Sequence, residues 1–560
     1  MNLTQTMLRL TNSLHKQFPE EPINGTPIGI ITALRGETVS FQALLRHMAE
    51  NERGGTVIIE VQGASGLPQV HIRRVAPIAV RLATHLADAD EYYLRKTPGL
   101  YPDRLAPYDG KPFHLNPGET MNFWLDLHIP DDLPAGDYPI VVNVRSKNHE
   151  PNGREMISAT VTLSVVEARL PQQEVMCTHW FHSDCLADYY NVEVFSEEYW
   201  RITEQFMRAA TACGNNMILT PTFTPALDTY VGGERTTVQL VDVSVTGKDT
   251  YTFAFNKLRR WVDTARRAGF RYFEIAHLFS QWGAKFCPKV MAETPNGYRR
   301  IFGWETAADS PEYIEFLKQY LSALTAQLYD WGIADRCRFH LSDEPHEDTL
   351  PHYLKLRRLV EPYLRGFVIM DALSEYKFYE QGAVDVPVVC INRVKNFIEH
   401  RVSPLWVYYC CGPVGDHVSN RFIAMPSSRN RMLGFQMYLE RAVGFLHWGF
   451  NFYNGERSMY RIDPFTTADC DGTFPAGDPF LVYPGPNGEP QGSIRQMVFA
   501  EAMQDHRACC LLEQYMGRTY VADLLREAGI TSFYCCPDAS TLLKLRTRIN
   551  LEIRRAVAGI

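Results

Sequence analysis

The 560-residue sequence lacks the features that mark membrane, secreted and nucleic-acid-binding proteins. It has no stretch approaching the roughly 18 consecutive apolar residues of a membrane span. Its amino-terminal segment is amphipathic but lacks the apolar core of a secretory signal. The 56 basic and 64 acidic residues give a net charge of −8 without any basic run, so nucleic acid and anionic membranes are not expected partners. We expect a cytoplasmic protein.

The sequence also lacks any Cys-x-x-Cys motif. An odd total of 13 cysteines without a secretory signal predicts reduced thiols, most of them small buried side chains. His179, His182 and Asp184 have a spacing that could hold a metal. Because alternate side chains of a strand point to opposite faces, one strand is an awkward source of three ligands. We therefore expect no metal and no cofactor.

Short alternating runs of apolar and polar residues, separated by Pro-rich and Gly-rich turns, fill residues 27–172. This pattern predicts a β-sandwich. We interpret it as a module that docks on the next domain, and a carbohydrate-binding face is the less favoured alternative. Residues 1–26, with Met7, Leu8, Leu10 and Leu14 in an amphipathic pattern, are predicted to form a helical extension.

Residues 173–515 repeat the order strand, loop and helix, with about eight strands, as in a (β/α)8 TIM-type barrel. An open doubly wound sheet is the alternative, although no Gly-x-Gly-x-x-Gly follows a strand. Residues 516–560 are predicted to be a helical extension packed on the barrel. The predicted fold class is thus a multidomain protein with an all-β sandwich followed by an α/β barrel.

Asp343 and Glu344 follow the predicted strand at 337–341 and should lie at its carboxyl end, where barrels present residues to ligands. Two adjacent carboxylates repel each other, which raises the proton affinity of one of them. A carboxyl group that stays protonated near neutral pH is suited to general acid catalysis. The alternative is that Asp343 caps the next helix while Glu344 is solvated.

The other predicted strand ends carry aromatic, amide, carboxylate and histidine side chains. Such a mixture suits a sugar, whose C–H faces stack on rings while each buried hydroxyl needs a hydrogen-bond partner. The sequence does not fix the strand register, so some of these residues could fill the barrel instead. The candidate substrate-binding residues are Trp180, His182, Asp184, His277, Gln281, Trp282, Asp371, Asn392, Tyr408, Tyr409, Trp448, Asn451 and Tyr453.

A glycosidase commonly places two carboxyl groups on either side of the scissile bond. The predicted seventh strand contains no acid, and Asp371 on the fifth is the remaining candidate. The absence of an acid on the seventh strand favours a mechanism in which the 2-acetamido group of the substrate attacks the anomeric carbon. Asp343 would then orient that amide, Glu344 would act as the acid, and Tyr408 or Tyr409 would donate to the acetamido oxygen.

Four motifs resemble the catalytic domain of glycoside hydrolase family 123. They are Ser-Asp-Glu-Pro at 342–345, Trp-Val-Tyr-Tyr-Cys-Cys-Gly-Pro at 406–413, Gly-Phe-Leu-His-Trp-Gly-Phe-Asn at 444–451 and Gly-Asp-Pro-Phe-Leu-Val-Tyr-Pro-Gly at 477–485. The preceding sandwich also resembles the amino-terminal domain of that family. The resemblance implies an exo-acting, retaining β-N-acetylgalactosaminidase with substrate assistance, in which the acid pair corresponds to Asp343 and Glu344.

Two alternatives stay open. One is a retaining or inverting β-glycosidase for a sugar without an acetamido group, with Asp371 as the second carboxylate. The other is a non-catalytic carbohydrate-binding protein. The expected partner is a small-molecule glycan or glycoconjugate, and the sequence leaves open whether the chain forms a homo-oligomer.

Overall fold

The computed structural model describes residues 3–48, 54–147 and 156–559. Its amino-terminal part consists of ten strands. They are β1 (Thr6–Asn12), β2 (Ile30–Arg35), β3 (Thr38–His47), β4 (Gly55–Gly63), β5 (His71–Val80), β6 (Gly99–Pro107), β7 (Phe113–Leu115), β8 (Thr120–His128), β9 (Gly136–Ser146) and β10 (Met156–Arg169).

These strands form two five-stranded sheets, in the orders β1-β3-β8-β5-β6 and β2-β10-β9-β4-β7. All pairings are antiparallel except that of β2 with β10. The sheets share one core, in which Phe41 and Leu125 of the first sheet pack with Ile59 and Val142 of the second. Alternate residues of each strand point into this core, as in a β-sandwich.

The predicted helical extension at residues 1–26 is wrong in the part that the structure describes. Thr6–Asn12 is a strand that pairs antiparallel with β3, with Leu10 opposite Ala43. Leu8 and Leu10 are two residues apart, so the apolar pattern fits a half-buried strand as well as a helix, and pairing with a sheet edge decides between them.

The second part of the chain contains eight parallel strands. They are β11 (Met176–His179), β12 (Met217–Thr220), β15 (Tyr272–Ile275), β18 (Cys337–Phe339), β19 (Val368–Leu373), β20 (Val386–Cys390), β21 (Trp406–Tyr408) and β22 (Gly444–His447). Two smaller sheets lie outside this set. They contain β13 (Asp242–Gly247), β14 (Thr250–Ala254), β16 (Val290–Thr294) and β17 (Gly297–Phe302), and the hairpin of β23 (Tyr483–Pro484) and β24 (Pro490–Gln491).

The eight parallel strands form a nearly closed barrel. From β12 to β22, each barrel strand pairs with the next barrel strand along the chain, and β11 pairs with β22. Within the described residues no strand ladder joins β11 to β12, and Asn216 spans that seam. Its backbone N–H donates to Cys177 O (3.0 Å), while its side chain donates to Val175 O and accepts from Cys177 N–H (2.9 Å each). The open doubly wound alternative is wrong, because the first strand meets the last.

Helices follow every barrel strand, although those after β19 and β20 have only five residues each. No helix among the described residues is both long enough and apolar enough to cross a bilayer. The helices are α1 (Ser183–Tyr190), α2 (Glu197–Ala212), α3 (Asn256–Ala268), α4 (Pro311–Asp330), α5 (Leu350–Val360), α6 (Tyr376–Glu380), α7 (Lys395–Glu399), α8 (Ser427–Arg431), α9 (Leu433–Glu440), α10 (Ile494–Met516), α11 (Arg518–Glu527) and α12 (Ala539–Ala558).

The last helix, α12, contacts the sandwich as well as the barrel helices. Arg546 pairs with Asp505 of α10 (2.9 Å) and with Glu37 of the sandwich. Asn550 donates to the carbonyl oxygen of Thr32 in β2 (3.1 Å). The carboxyl-terminal segment therefore joins the two parts of the chain, whereas the sequence predicts packing on the barrel alone.

A buried ion pair also joins the sandwich to the barrel. The Arg495 guanidinium in α10 donates two hydrogen bonds to the Asp103 carboxylate in β6, at 2.9 and 2.8 Å. The Tyr483 hydroxyl donates a third at 2.6 Å. All three side chains are almost completely excluded from solvent, so removing one partner would leave an uncompensated buried charge.

We expect Asp103→Asn to lower the free energy of unfolding by about 3–5 kcal/mol, the usual consequence of breaking a buried ion pair. Urea titration followed by circular dichroism measures this change. The matched control is Asp109→Asn, which removes an exposed pair with Lys111 and should leave the free energy of unfolding nearly unchanged, because solvent screens such a pair. Equal effects of the two substitutions would contradict the structural role of Asp103.

Candidate active site

A cavity that is partly open to solvent lies at the carboxyl ends of the barrel strands. Asp343 and Glu344, in the loop after β18, belong to its wall, together with aromatic rings and two cysteines. The lining residues are Trp180, Leu227, Asp228, Gln281, Trp282, Asp343, Glu344, Ala372, Tyr408, Cys410, Cys411, Leu446, Trp448 and Phe474.

The loop that carries the acid pair is held by backbone hydrogen bonds on both sides. Trp282 N–H donates to Asp343 O (2.8 Å), and Glu344 N–H donates to Ala372 O (3.1 Å). Glu344 has a left-handed backbone conformation, with φ of 43°. A non-glycine residue adopts this conformation only where its surroundings enforce it, and such sites are often functional.

Asp371 supports the same loop from below. Its carboxylate accepts hydrogen bonds from the backbone N–H groups of Leu341 and Ser342 (3.1 and 3.2 Å) and from the Tyr353 hydroxyl. His340 Nδ1 lies 3.0 Å from Asp371 Oδ1. Asp371 is fully buried and does not line the cavity. The structure therefore contradicts its prediction as a substrate contact or second carboxylate.

The surroundings of the acid pair favour protonated carboxyl groups. Burial, with the neighbouring Glu344 charge next in importance, raises the pKa of Asp343 well above its usual range. Burial also raises the pKa of Glu344 to about 7, against the opposing effect of a hydrogen bond from Tyr408. Because two adjacent carboxylates repel each other, the pair should retain one shared proton near neutral pH.

Tyr408 and Tyr409 are separated by strand alternation. The Tyr408 hydroxyl donates to Glu344 Oε1 at 2.6 Å. Tyr409 points to the opposite face, where its hydroxyl donates to Asn430 Oδ1 at 3.2 Å. Of the two tyrosines predicted for the site, only Tyr408 is present there.

The structure brings four more of the predicted residues to the cavity. Trp180, Trp282 and Trp448 supply indole rings, along with the Gln281 amide. The Trp448 indole donates to Asp478 Oδ2 at 2.8 Å, and the Gln281 amide donates to Thr229 O at 3.0 Å. These bonds fix both side chains in the wall.

Other predicted residues lie outside the cavity wall and have structural contacts. Arg235 donates two hydrogen bonds to Asp184 (2.7 and 2.8 Å) and lies 3.0 Å from His182 Nδ1. The Asn451 side chain donates to and accepts from the backbone of His182. These buried groups brace the loops after the first and last barrel strands. The predictions that the structure does not place in the cavity wall are His182, Asp184, His277, Asp371, Asn392, Tyr409, Asn451 and Tyr453.

Three of these misplacements have simple causes. The Tyr453 hydroxyl donates to Val482 O (2.8 Å), so the side chain anchors a neighbouring loop. His277 lies inside the barrel with its ring stacked on His340. Asn392 lies in a turn after β20, half-buried. The sequence correctly places each of these residues after a barrel strand. It does not fix the strand register, and so it does not predict the direction of the side chain.

Asp228 is a cavity residue that the sequence reasoning missed. It lies in the loop after β12, where its Oδ2 accepts a hydrogen bond from Arg457 N–H at 3.0 Å. Burial raises its pKa to about 6. The segment around it has no regular apolar pattern, and the only available signal was an acid a few residues beyond a predicted strand.

Cys410 and Cys411 also line the cavity, whereas the sequence predicts buried packing roles for most cysteines. All 13 cysteines are free. This agrees with the prediction of reduced thiols.

Comparisons with known proteins relate the chain to one family of enzymes. The model of the glycoside hydrolase 123 catalytic domain matches residues 180–512. A solved family 123 glycoside hydrolase from Clostridium perfringens, studied for glycolipid glycan hydrolysis, has a TM-score of 0.73 at 13% identity, with 99% of this chain and 98% of that chain covered. This likeness shows a shared fold over the whole chain.

A second solved structure is more distant. A putative β-galactosidase from Bacteroides fragilis has a TM-score of 0.34 at 9% identity, covering 83% of this chain and 58% of that one. This similarity is too weak to support an argument. No curated protein matches the sequence significantly.

Proposed function

The chain belongs to glycoside hydrolase family 123, and from this membership we propose that it removes terminal β-linked N-acetylgalactosamine by a retaining, substrate-assisted mechanism. The observation that carries the proposal is the adjacent pair Asp343 and Glu344 in the cavity wall, with Tyr408 bonded to Glu344. We also infer that the barrel is of the (β/α)8 type, with its fifth and sixth helices shortened.

In the proposed first step, the acetamido carbonyl oxygen of the sugar attacks the anomeric carbon and forms an oxazolinium ion. Asp343 accepts the acetamido N–H and stabilises the developing positive charge. Glu344 donates its proton to the glycosidic oxygen as that bond breaks. The aglycone leaves as a neutral alcohol.

In the second step, the Glu344 carboxylate accepts a proton from a water molecule that attacks the anomeric carbon. The oxazolinium ring opens and restores the acetamido group. Two successive displacements retain the anomeric configuration. Glu344 ends the cycle protonated, ready for another substrate.

The shared proton of the acid pair must be on Glu344 for this cycle to begin. In the free protein, Tyr408 donates to Glu344 and therefore favours negative charge there. An amide N–H from the substrate would favour negative charge on Asp343 instead. Substrate binding thus moves the proton toward Glu344, where the reaction requires it.

The aromatic wall supports binding of a single terminal sugar. Trp180, Trp282 and Trp448 offer apolar faces for the C–H groups of a pyranose ring, and the cavity is lined mainly by apolar groups with a few polar ones, as small-molecule sites usually are. These features favour exo action over binding along an extended chain.

We expect Tyr408→Phe to move the alkaline limb of the kcat/KM profile to higher pH. The Tyr408 hydrogen bond stabilises the Glu344 carboxylate, so its loss should raise the pKa of Glu344 above about 7 and keep the acid protonated further into the alkaline range. Initial rates between about pH 5 and 9, spanning this pKa, measure the shift. Tyr409→Phe is the matched control, since that hydroxyl bonds Asn430. An unchanged limb in Tyr408→Phe would count against Glu344 as the acid.

A second candidate function follows from Asp228. This carboxylate also lines the cavity, so it could serve as the second carboxyl group of a glycosidase that acts on a sugar without an acetamido group. It replaces Asp371 in this role, because Asp371 lies beneath the loop.

A substrate panel tests the proposal. Nitrophenyl β-N-acetylgalactosaminide should be cleaved and nitrophenyl β-galactoside should not, and a thiazoline analogue of the oxazolinium ion should inhibit competitively. Cleavage of the galactoside without thiazoline inhibition would favour the role of Asp228. Binding of N-acetylgalactosamine without turnover of any glycoside would indicate a carbohydrate-binding protein.

A further inference from the structure

A cluster of ionisable side chains lies inside the barrel, beneath the cavity. Glu274 in β15 and His340 after β18 are fully buried, and His277 is 3% exposed. The two imidazole rings stack with centroids 4.6 Å apart. The Trp180 ring packs edge-on against both, at 5.1 and 6.0 Å. Because Trp180 also lines the cavity, it separates the cluster from the substrate space.

Five polar atoms of this cluster lack hydrogen bonds within the described protein. They are both carboxylate oxygens of Glu274, both ring nitrogens of His277 and Nε2 of His340. Leaving a buried polar group unpaired costs about 1–3 kcal/mol, so five such atoms in one place indicate a bound species that satisfies them.

The orientation of His340 directs its free nitrogen into the cluster. His340 Nδ1 lies 3.0 Å from Asp371 Oδ1, while His340 Nε2 lies 3.8 Å from Glu274 Oε2, too far for a hydrogen bond. A carboxylate on one ring nitrogen is the arrangement that orients metal-binding histidines and fixes their tautomer.

We propose that Glu274, His277 and His340 bind a divalent transition metal ion of the zinc class. Two imidazoles and one carboxylate form a common zinc ligand set, whereas magnesium and calcium prefer oxygen ligands alone. His340 Nε2 and Glu274 Oε2 lie 3.8 Å apart, and the imidazole rings of His277 and His340 stack with centroids 4.6 Å apart. A tetrahedral zinc ion with ligands at about 2.0–2.2 Å holds the ligand atoms about 3.4 Å from one another, so a modest rotation and approach of these side chains would bring them onto one ion.

The ion would position the acid pair without contacting the substrate. His340 holds Asp371, and Asp371 accepts the backbone N–H groups of Leu341 and Ser342, which immediately precede Asp343. A metal on His340 therefore anchors the base of the loop on which Asp343 and Glu344 lie.

The alternative to a metal ion in this cluster is a shared proton. Burial opposes a charge on His340, but the hydrogen bond to Asp371 and the nearby Glu274 carboxylate outweigh it and raise the pKa of His340 to about 9. A proton shared by His340 and Glu274 would satisfy those two side chains. It would leave both nitrogens of His277 unpaired, whereas the metal would bind one of them.

Metal analysis of the full-length, untagged protein tests the proposal independently of activity. Because the site is closed, the protein is refolded from guanidinium with ZnCl2 or with a chelator, and its zinc content is then measured by plasma mass spectrometry. We expect about one zinc per chain after refolding with ZnCl2 and a higher melting temperature than with chelator, since metal binding contributes to folding free energy. Refolding with Co²⁺ should give the visible absorption of a four-coordinate site.

Variants assign the ligands. His277→Gln and Glu274→Gln should each lose the stoichiometric zinc and the zinc-dependent melting shift. The matched control is His179→Gln, which alters another buried barrel histidine with an unpaired Nε2 and should keep both. If these variants fail to fold, the zinc content and melting shift of the wild-type protein decide the question. A wild-type protein that retains no zinc and melts identically with and without chelator would overturn the proposal in favour of a shared proton.

Discussion

Replacing Glu344 with Gln should lower kcat/KM for an N-acetylgalactosaminide with an alkyl aglycone by roughly 10²–10⁴-fold, the usual contribution of a general acid. Gln keeps the shape of Glu and can accept the Tyr408 hydrogen bond, but it has no acidic proton for the glycosidic oxygen. Steady-state kinetics on purified protein measure the loss, with circular dichroism to confirm folding.

Comparing two aglycones distinguishes the loss of the general acid from a general disturbance of the active site. A dinitrophenyl leaving group departs without much protonation, so Glu344→Gln should retain far more activity on that substrate than on the alkyl glycoside. Glu347→Gln is a matched control, because Glu347 is exposed in the same loop and pairs with Lys377. Equal losses on both aglycones would contradict the assignment of Glu344 as the acid.

Replacing Asp343 with Asn should lower kcat/KM by about 10²–10³-fold, as expected when one preorganised electrostatic contact to the transition state is removed. Asn cannot carry the negative charge that stabilises the oxazolinium ion. The inhibition constant of the thiazoline analogue should rise in parallel, because an analogue of the charged intermediate depends on the same contact.

The test of Asp343 is whether kcat/KM and the thiazoline inhibition constant change together. Asp348→Asn, an exposed change five residues away, should leave both constants unchanged. If Asp343→Asn reduced turnover while thiazoline affinity stayed at the wild-type level, Asp343 would not contact the acetamido group.

The acid pair was predictable because its position depends on order along the chain. A buried strand at 337–339 followed by a loop and then α5 places Asp343 and Glu344 at a carboxyl strand end in any barrel. The sequence motifs around Tyr408 and Trp448 identified the seventh and eighth strands in the same way. The core architecture follows from such local order and from apolar periodicity.

Side-chain direction and long-range packing were not predictable. Tyr408 and Tyr409 are adjacent, and a shift of one residue in register would exchange their faces. Asp184 has a charge that suggests a site, but its partner Arg235 lies 51 residues away in a loop without regular pattern. Asp228 occupies the same irregular loop. Thr6–Asn12 forms a strand because it pairs with the edge strand β3. This pairing is a long-range contact, which the local sequence pattern does not predict.

The identity of the nucleophile is the central claim, and a series of N-acyl substrates tests it most directly. Successive fluorination of the acetamido methyl group makes the carbonyl oxygen a poorer nucleophile while changing the size of the sugar little. If the substrate amide attacks the anomeric carbon, kcat/KM should fall steeply with each added fluorine. A flat dependence, with a covalent sugar on Asp228 detected by mass spectrometry, would contradict substrate assistance.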